Sequence, residues 1–246
     1  LSADPAWPAG YGRLVLESVD STNAEALRRA PDLTGPLWIL ARRQTAGRGR
    51  RGRDWSDPPG NFAATLAVRL PDPPARLALR SFVAALALHD AIEAMTGLGP
   101  ALALKWPNDL LLNGGKLSGI LLESGGQGVL ALGIGVNLRH APPPAPDAAH
   151  PPVALRGETG FDIAPEALLV HLAVAYAEWE HRLTTWGFGP LRTAFLARAA
   201  RLGGTITART MAESVTGTFE TIDETGALVL ATPQGRRTIP AADIYF

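Results

Sequence analysis

Of the 23 basic residues in this chain, only Lys105 and Lys116 are lysine, and the other 21 are arginine. Such a skew is what a GC-rich coding background produces when lysine drifts to arginine wherever any positive charge is enough. A compact ammonium and a forked, planar guanidinium are not interchangeable where geometry matters. The two surviving lysines are therefore read as chemically required, with chance retention of two surface lysines as the alternative. Asparagine points the same way. Asn23, Asn61, Asn108 and Asn137 sit in short polar or glycine-flanked motifs, while Asn113, in Asn113-Gly114-Gly115, is accounted for by turn chemistry. Four asparagines in separate motifs predict a polar site assembled from distant segments.

Residues 42–53 carry six arginines with no acid before Asp54. Gly47, Gly49 and Gly52 satisfy G-x-G-x-x-G, but a turn follows Gly52 where a dinucleotide-binding fold needs a helix. An RNA-binding arginine–glycine tract is a second reading. Such tracts usually repeat, and this one occurs once, between two predicted strands. The third reading fits best: a loop closing over a phosphate-bearing small molecule. Glycines let backbone amides approach an anion, arginines neutralise it, and Trp55 offers a flat surface. Gly115-Lys116-Leu117 does not make a P-loop, Gly133-Ile134-Gly135-Val136-Asn137-Leu138 lacks a third glycine, and no G-x-S-x-G is present.

Composition removes other classes. With 46% apolar and 19% charged residues and zero formal net charge, the chain is an ordinary globular protein and not a general polyanion binder. It has no cysteine, which excludes disulfides, thiolate metal sites and a cysteine nucleophile. Its five histidines show no HExxH or paired-histidine spacing, so no zinc site is expected. No apolar run approaches the roughly 18 residues of a spanning helix, and no signal peptide is evident, so a cytoplasmic protein without a membrane partner is expected.

The elements that must position these residues can be read in outline. Strands are predicted at about 12–19, at Leu37–Ala41 and at 62–70, with a short helix over Asn23–Arg29 that Ser21 or Thr22 can cap. A long amphipathic helix is predicted from Arg76 to Met95. Strands at 101–106, 109–112, 116–123 and 129–136 follow, with Asn113-Gly114-Gly115 as a hairpin signal. Six prolines in residues 141–152 predict a stiff surface loop. A helix is expected from Pro165 to about Thr185. After Gly203-Gly204, short β-rich runs predict a small barrel, with a domain boundary near residue 200.

Five motifs then stand in order: Ser21-Thr22-Asn23; Gln44 through Gly47-Arg48-Gly49-Arg50-Arg51-Gly52-Arg53 to Trp55; Lys105-Trp106-Pro107-Asn108-Asp109; Lys116-Leu117-Ser118-Gly119; and Gly133-Ile134-Gly135-Val136-Asn137. Together they resemble the biotin protein ligases over essentially the whole chain. The resemblance implies an α+β fold. Residues 1–200 would form a mixed-sheet catalytic domain like those of class II aminoacyl-tRNA synthetases, and 201–246 a small SH3-like β-barrel. It implies that biotin and ATP, with Mg2+, give biotinyl-5′-AMP and pyrophosphate. A lysine of a biotin carboxyl carrier domain then takes the biotinyl group. Ser21, Thr22, Asn23, Gln44 and Gly119 would contact biotin. Arg48, Gly49 and Arg50 would wrap the acyl-phosphate, and Arg51 and Arg53 would join Arg48 and Arg50 on ATP and the adenylate. Trp55 would pack on the adenylate and Asn137 would line the adenine pocket.

Lys116 would hold biotin's carboxylate and the α-phosphate, with Lys105, Arg50 and Asp109 completing the catalytic set. Asn108 and Asp109 would orient Lys116 or magnesium, Asp109 being the candidate ligand; a plain turn is the alternative at Pro107-Asn108-Asp109, as helix capping is at Ser21 and Asn23. About twenty residues precede Ser21, too few for the winged helix of the repressor-type members, so no sequence-specific DNA binding is expected. Members often dimerise, so a homodimer is an expectation. The ending Ala241-Ala242-Asp243-Ile244-Tyr245-Phe246 departs from the glycine-bearing ending common in the family. A lipoate or octanoate ligase or transferase is the nearest alternative, and a non-catalytic RNA-binding module is one from another class.

Overall fold

The computed structural model describes residues 5–49, 52–125, 128–144 and 149–246. Seven strands form the main sheet: β1 (Gly12–Leu16), β2 (Leu37–Ala41), β3 (Phe62–Arg69), β4 (Leu102–Lys105), β5 (Asp109–Leu112), β6 (Gly115–Ser124) and β7 (Val129–Val136). Their order is β1-β2-β3-β7-β6-β5-β4. Only β1 and β2 run parallel; the remaining neighbours are antiparallel. Strand periodicity gives the sheet two unlike faces. Trp38, Leu40, Phe62, Ala64, Leu66, Leu132, Ile134 and Val136 enter the main core, while Ile39, Ala67 and Ala131 point to the other side.

Helix α3 (Arg80–Thr96) and helix α5 (Pro165–Trp186) pack together over the first face. Alanines at 84, 85, 87 and 91 of α3 are buried, which allows that close three-layer packing. The opposite face receives the short α1 (Thr22–Arg28), whose Ala26 packs against Ile39, Ala67 and Ala131. The single helix expected from Arg76 to Met95 is two: α2 (Pro74–Ala78) and then α3. Leu79 between them stays right-handed helical at φ −63° and ψ −19°, so the interruption is a tightened turn. Gly97 ends α3 at φ 71°, a left-handed cap. Two short helices escaped prediction, α4 (Leu155–Thr159) and α6 (Gly189–Ala197). Each is too short for periodicity to separate it from a loop.

The C-terminal β unit holds β8 (Thr205–Arg209), β9 (Ser214–Ile222), β10 (Leu228–Thr232), β11 (Gly235–Ile239) and β12 (Asp243–Tyr245). It is an antiparallel sheet of order β11-β10-β9-β8-β12, with β11 and β12 at opposite edges and no ladder closing it into a barrel among the described residues. Its apolar residues, among them Ile206, Phe219 and Leu230, share one core with the main sheet. Leu104 N–H donates to Arg198 O at 2.8 Å, and Ala200 N–H to Leu104 O at 2.8 Å, carrying the chain along the β4 edge. Gly226, at the β9–β10 turn, accepts a 2.9 Å hydrogen bond from the buried Trp106 indole. Trp106→Phe removes the indole N–H, leaving that carbonyl unpaired, and also leaves the space of the lost five-membered ring, which together cost about 2–4 kcal/mol. Urea unfolding should show this as a lower midpoint, and an unchanged midpoint would remove the bond from any role in joining the two sheets.

Candidate active site

A cavity of about 320 Å³ lies against the α1 side of the sheet. Its floor is bare backbone. Gly119 on β6 pairs directly with Gly135 on β7, and Gly133 follows at the next position facing the same way. A Cβ built at Gly135 would stand 2.4 Å from Trp55 Cε2, and one at Gly119 would stand 3.2 Å from Trp55 Cζ3. The indole therefore lies against the strands where any other residue would hold it off. At Gly133 the same construction meets Asn23 Oδ1 at 2.3 Å. The glycine run that fails as a dinucleotide motif thus has a different use: it lets Trp55 and α1 approach the sheet.

One end of the cavity is neutral and polar. Ser21 is the N-cap of α1, its Oγ accepting from Ala24 N–H at 3.4 Å, and it also lines the cavity. Capping and site membership are therefore compatible. Thr22 N–H and Oγ1 both donate to Gln44 Oε1, at 2.8 and 3.1 Å. A backbone N–H can only donate, so the Gln44 atom facing it is the oxygen, and the amide nitrogen is turned to the other side, where it also steadies the Asp57 carboxylate. Asn23 is nearly saturated by the protein: its Nδ2 donates to Glu123 Oε2 at 2.8 Å and to Leu121 O at 3.3 Å, and its Oδ1 lies 2.6 Å from the Thr65 hydroxyl. It joins α1 to the sheet as well as lining the cavity.

The other end is cationic. Hairpin register places Lys105 opposite Asp109, and Asp109 opposite Gly119. Asp109 Oδ2 receives Lys105 Nζ at 3.2 Å and Oδ1 receives Lys116 Nζ at 2.7 Å. Burial pushes the Asp109 carboxyl up, and the Lys116 and Lys105 charges outweigh it, so the group rests below the usual carboxylate value. Burial lowers the Lys105 ammonium, Asp109 opposes this and Lys116 adds to it, leaving Lys105 below its ordinary value. With both oxygens engaged by ammonium groups, Asp109 suits the holding of lysines better than the holding of a metal ion. Residues 151–153 strap the Lys116 backbone, through Lys116 N–H to Pro151 O at 2.8 Å and Val153 N–H to Lys116 O at 3.0 Å. Asn108 donates through Nδ2 to Ile120 O, fixing the turn between β4 and β5 to β6.

The described parts of the arginine–glycine segment on either side of residues 50 and 51 pair with each other as the two arms of a hairpin against this cavity. Gly49 N–H bonds Arg53 O at 2.7 Å, and Trp55 N–H bonds Gly47 O at 2.9 Å. Arg48 approaches Glu123 at 3.6 Å and Arg53 approaches Asp243 at 3.8 Å. Arg50 and Arg51 lie outside the described residues. Asn137 lines the cavity with its Oδ1 buried and unpartnered, as a ligand-facing acceptor requires. Asn61 is elsewhere: its side chain clamps His140 O, Arg139 N and His140 N behind β7.

Sequence reading missed several contributors. The proline-rich loop lines the cavity through Pro142, Pro143, His150 and Pro152, and β12 brings Asp243, Ile244 and Tyr245 from the C-terminal sheet. Strand β12, three residues long, carries no strand signal of its own in the sequence. Asp57, behind the cavity lining in the turn that follows Gly52, belongs to no motif. Its Oδ2 accepts Gln44 N–H at 2.9 Å, and burial pushes its carboxyl up to about 6, the Gln44 hydrogen bonds opposing only part of this. Far from the cavity, His89, Asp90 and Glu93 form a cluster with ligand atoms within 4.8 Å of one another. Trp179 Nε1 and Arg198 Nη2 already occupy the two Asp90 oxygens, at 2.8 and 3.2 Å, so the cluster reads as a joint between α3, α5 and the end of α6.

A neutral donor–acceptor head, a flat floor and a cationic end suit an elongated molecule whose polar ring is uncharged and whose tail is an anion. Comparison with known proteins agrees. The sequence pattern of the biotin/lipoate A/B protein ligase family matches residues 15–138, and that of the biotin protein ligase C-terminal domain matches residues 202–246. The chain is 54% identical to the biotin–[acetyl-CoA-carboxylase] ligase of Paracoccus denitrificans, across 94% of this chain and 99% of that one. It is 32% identical to the bifunctional ligase/repressor BirA of Bacillus subtilis, across 94% of this chain and 71% of that protein. In fold it is similar to the biotin protein ligase from Aquifex aeolicus in complex with biotin and ATP. The TM-score is 0.82 at 24% identity, covering 95% of this chain and 97% of that one.

Two outcomes are expected from this geometry. Gly135→Ala forces the indole off the floor and should cost about 1–3 kcal/mol. In denaturant unfolding, adding Trp55→Ala should recover most of that loss; simple additivity would contradict the contact. The Asp57 value of about 6 exceeds the ordinary 3.8, so its contribution to stability is full only below about pH 4 and is lost as pH rises through 6. Since Asp57 is only partly buried, solvent screening reduces the linkage to about 1–2 kcal/mol. Asp57→Asn should therefore stabilise the protein by that amount at pH 8 and not at pH 3.5, and a pH-independent difference would refute this.

Proposed function

The chain belongs to the biotin/lipoate A/B protein ligase family, and from that premise we propose that it activates biotin with ATP and transfers it to a lysine of a biotin carboxyl carrier domain. A biotin carboxylate oxygen attacks the α-phosphorus, forming biotinyl-5′-AMP as pyrophosphate leaves. The acceptor amine then attacks the acyl carbon, forming the amide as AMP leaves. Both nucleophiles belong to substrates, which is why the chain does this without cysteine or an activated serine. Its own part is positioning and charge stabilisation.

The observation that supports this reading best is the paired Lys105–Asp109–Lys116 group at one end of a cavity whose other end is the Ser21, Thr22 and Gln44 anchor. Neutral donors and acceptors suit the uncharged ureido ring. Lys116, more exposed than Lys105, would meet the carboxylate and the α-phosphate as charge moves between them, and Lys105 would hold the local potential positive. Asp109 keeps the two ammonium groups from repelling each other and fixes where Lys116 points. Trp55 over Gly119 and Gly135 would face the adenylate, and Asn137 the adenine. Arg48 and Arg53 would exchange Glu123 and Asp243 for phosphate oxygens, joined by Arg50 and Arg51. Magnesium enters this reading on the triphosphate, as part of the substrate.

The reading also divides the chain at residues 200 and 201 into a catalytic unit and an accessory sheet, and it includes a homodimer and a cytoplasmic setting. No helix among the described residues is long and apolar enough to cross a membrane. Pyrophosphate exchange into ATP tests the first half-reaction, with biotin compared against lipoate and octanoate. Exchange is expected with biotin alone, and exchange only with another acid would overturn the substrate. Lys116→Arg, which keeps the charge but not the compact ammonium, should lower biotin-dependent exchange by about a hundredfold or more. Near-normal turnover in that variant would remove Lys116 from the chemistry.

A further inference from the structure

We infer that Asp57 is a positioning residue for biotin recognition, acting through Gln44 at the base of the arginine–glycine hairpin. This rests on the reading that Gln44 faces biotin. Residues 43–45 run beside Val19 in a parallel bridge, with Val19 N–H bonded to Arg43 O at 3.1 Å and Thr45 N–H to Val19 O at 2.9 Å. Alternation then turns the N–H of Gln44 away from Val19, to the side where it has no strand partner. A main-chain donor there needs an acceptor. Asp57 Oδ2 supplies it at 2.9 Å. Gln44 and Asp57 stand just before and just after the hairpin, so the one hydrogen bond closes its base.

The consequences run inward. With its backbone held on both sides, Gln44 keeps Oε1 on Thr22 N–H and Oγ1, and its Nε2 lies close to Gly47, 3.1 Å from where a Cβ there would stand. Thr22 Oγ1 is 2.7 Å from the Thr65 hydroxyl, which reaches Asn23 at 2.6 Å; Asn23 reaches Glu123 at 2.8 Å, and Glu123 returns to Arg48 at 3.6 Å. Asp57 thus begins a chain of polar contacts that ends on the hairpin's own arginine. Its second oxygen, Oδ1, is buried without a partner. Such a carboxyl is unfavourable for folding, and groups of that kind are found where geometry at a site is held at the expense of stability.

The test measures the KM values for biotin and for ATP in pyrophosphate exchange. Asp57→Ala is expected to raise the biotin KM about tenfold while the ATP KM stays within about twofold. Asp57→Asn, which keeps an oxygen for Gln44 N–H, should restore the biotin KM to within about threefold of wild type. On a Gln44→Ala background, Asp57→Ala should add less than about twofold, because the path to biotin is already cut. An unchanged biotin KM in Asp57→Ala, a parallel rise in both KM values, or full additivity with Gln44→Ala would each overturn the inference. Asp57→Ser replaces the alanine variant if that protein does not fold. Loss of biotin-dependent exchange in the wild type would instead overturn the functional reading beneath it, so the two failures are separable.

Discussion

Two ammonium groups within hydrogen-bonding distance of one buried carboxylate form the interaction on which the site depends. Lys105 and Lys116 would repel each other in a poorly solvated cavity, and Asp109 alone would be an uncompensated buried charge. Together they leave a net positive end that is fixed in place before any anion arrives, and preorganised charge needs no reorganisation as a reaction proceeds. That balance requires β4, β5 and β6 to hold one register. A shift of a single residue would turn Asp109 toward the leucine core and leave both lysines without their counter-ion. The hairpin at Asn113-Gly114, where both residues have positive φ, sets that register.

The unlike faces of the sheet follow from the same economy. One face carries leucine, tryptophan and phenylalanine beneath α3 and α5, and supplies the stability. The other carries glycine, threonine and the charged ends of β4 and β6, where the small α1 and the hairpin pack. Bare strands cannot close a cavity by themselves, so the C-terminal sheet and the proline-rich loop complete its walls. Trp106 ties the lysine-bearing turn to that second sheet through Gly226, so neither unit's geometry is independent of the other.

Much of this was legible in the chain because it is local chemistry. The Asn113-Gly114-Gly115 turn and the amphipathic helix from Pro165 depend on neighbouring residues and stand where expected, and the two lysines that composition singles out line one cavity. Asn61 was misplaced because a polar side chain beside a glycine looks the same whether it meets a ligand or clamps its own backbone. The split of the long helix at Leu79 left no signal, since leucine there suits either conformation. Strand β12 was invisible because three residues carry no period and its partner β8 is distant along the chain.

The sequence by itself determined the fold class, the family and the groups available: two lysines and a cluster of arginines, a set of neutral polar residues, and no cysteine. Tertiary structure decided which of these groups work together. It placed one carboxylate between both lysines, laid Trp55 on a glycine floor, brought Asp243 from the last strand to the first hairpin, and made Asp57 the acceptor of Gln44. The physical reason is the range of the interactions. Residue type and local period fix what a segment can do, whereas hydrogen bonds and ion pairs between distant segments exist only once register and packing have brought their atoms within about 3 Å.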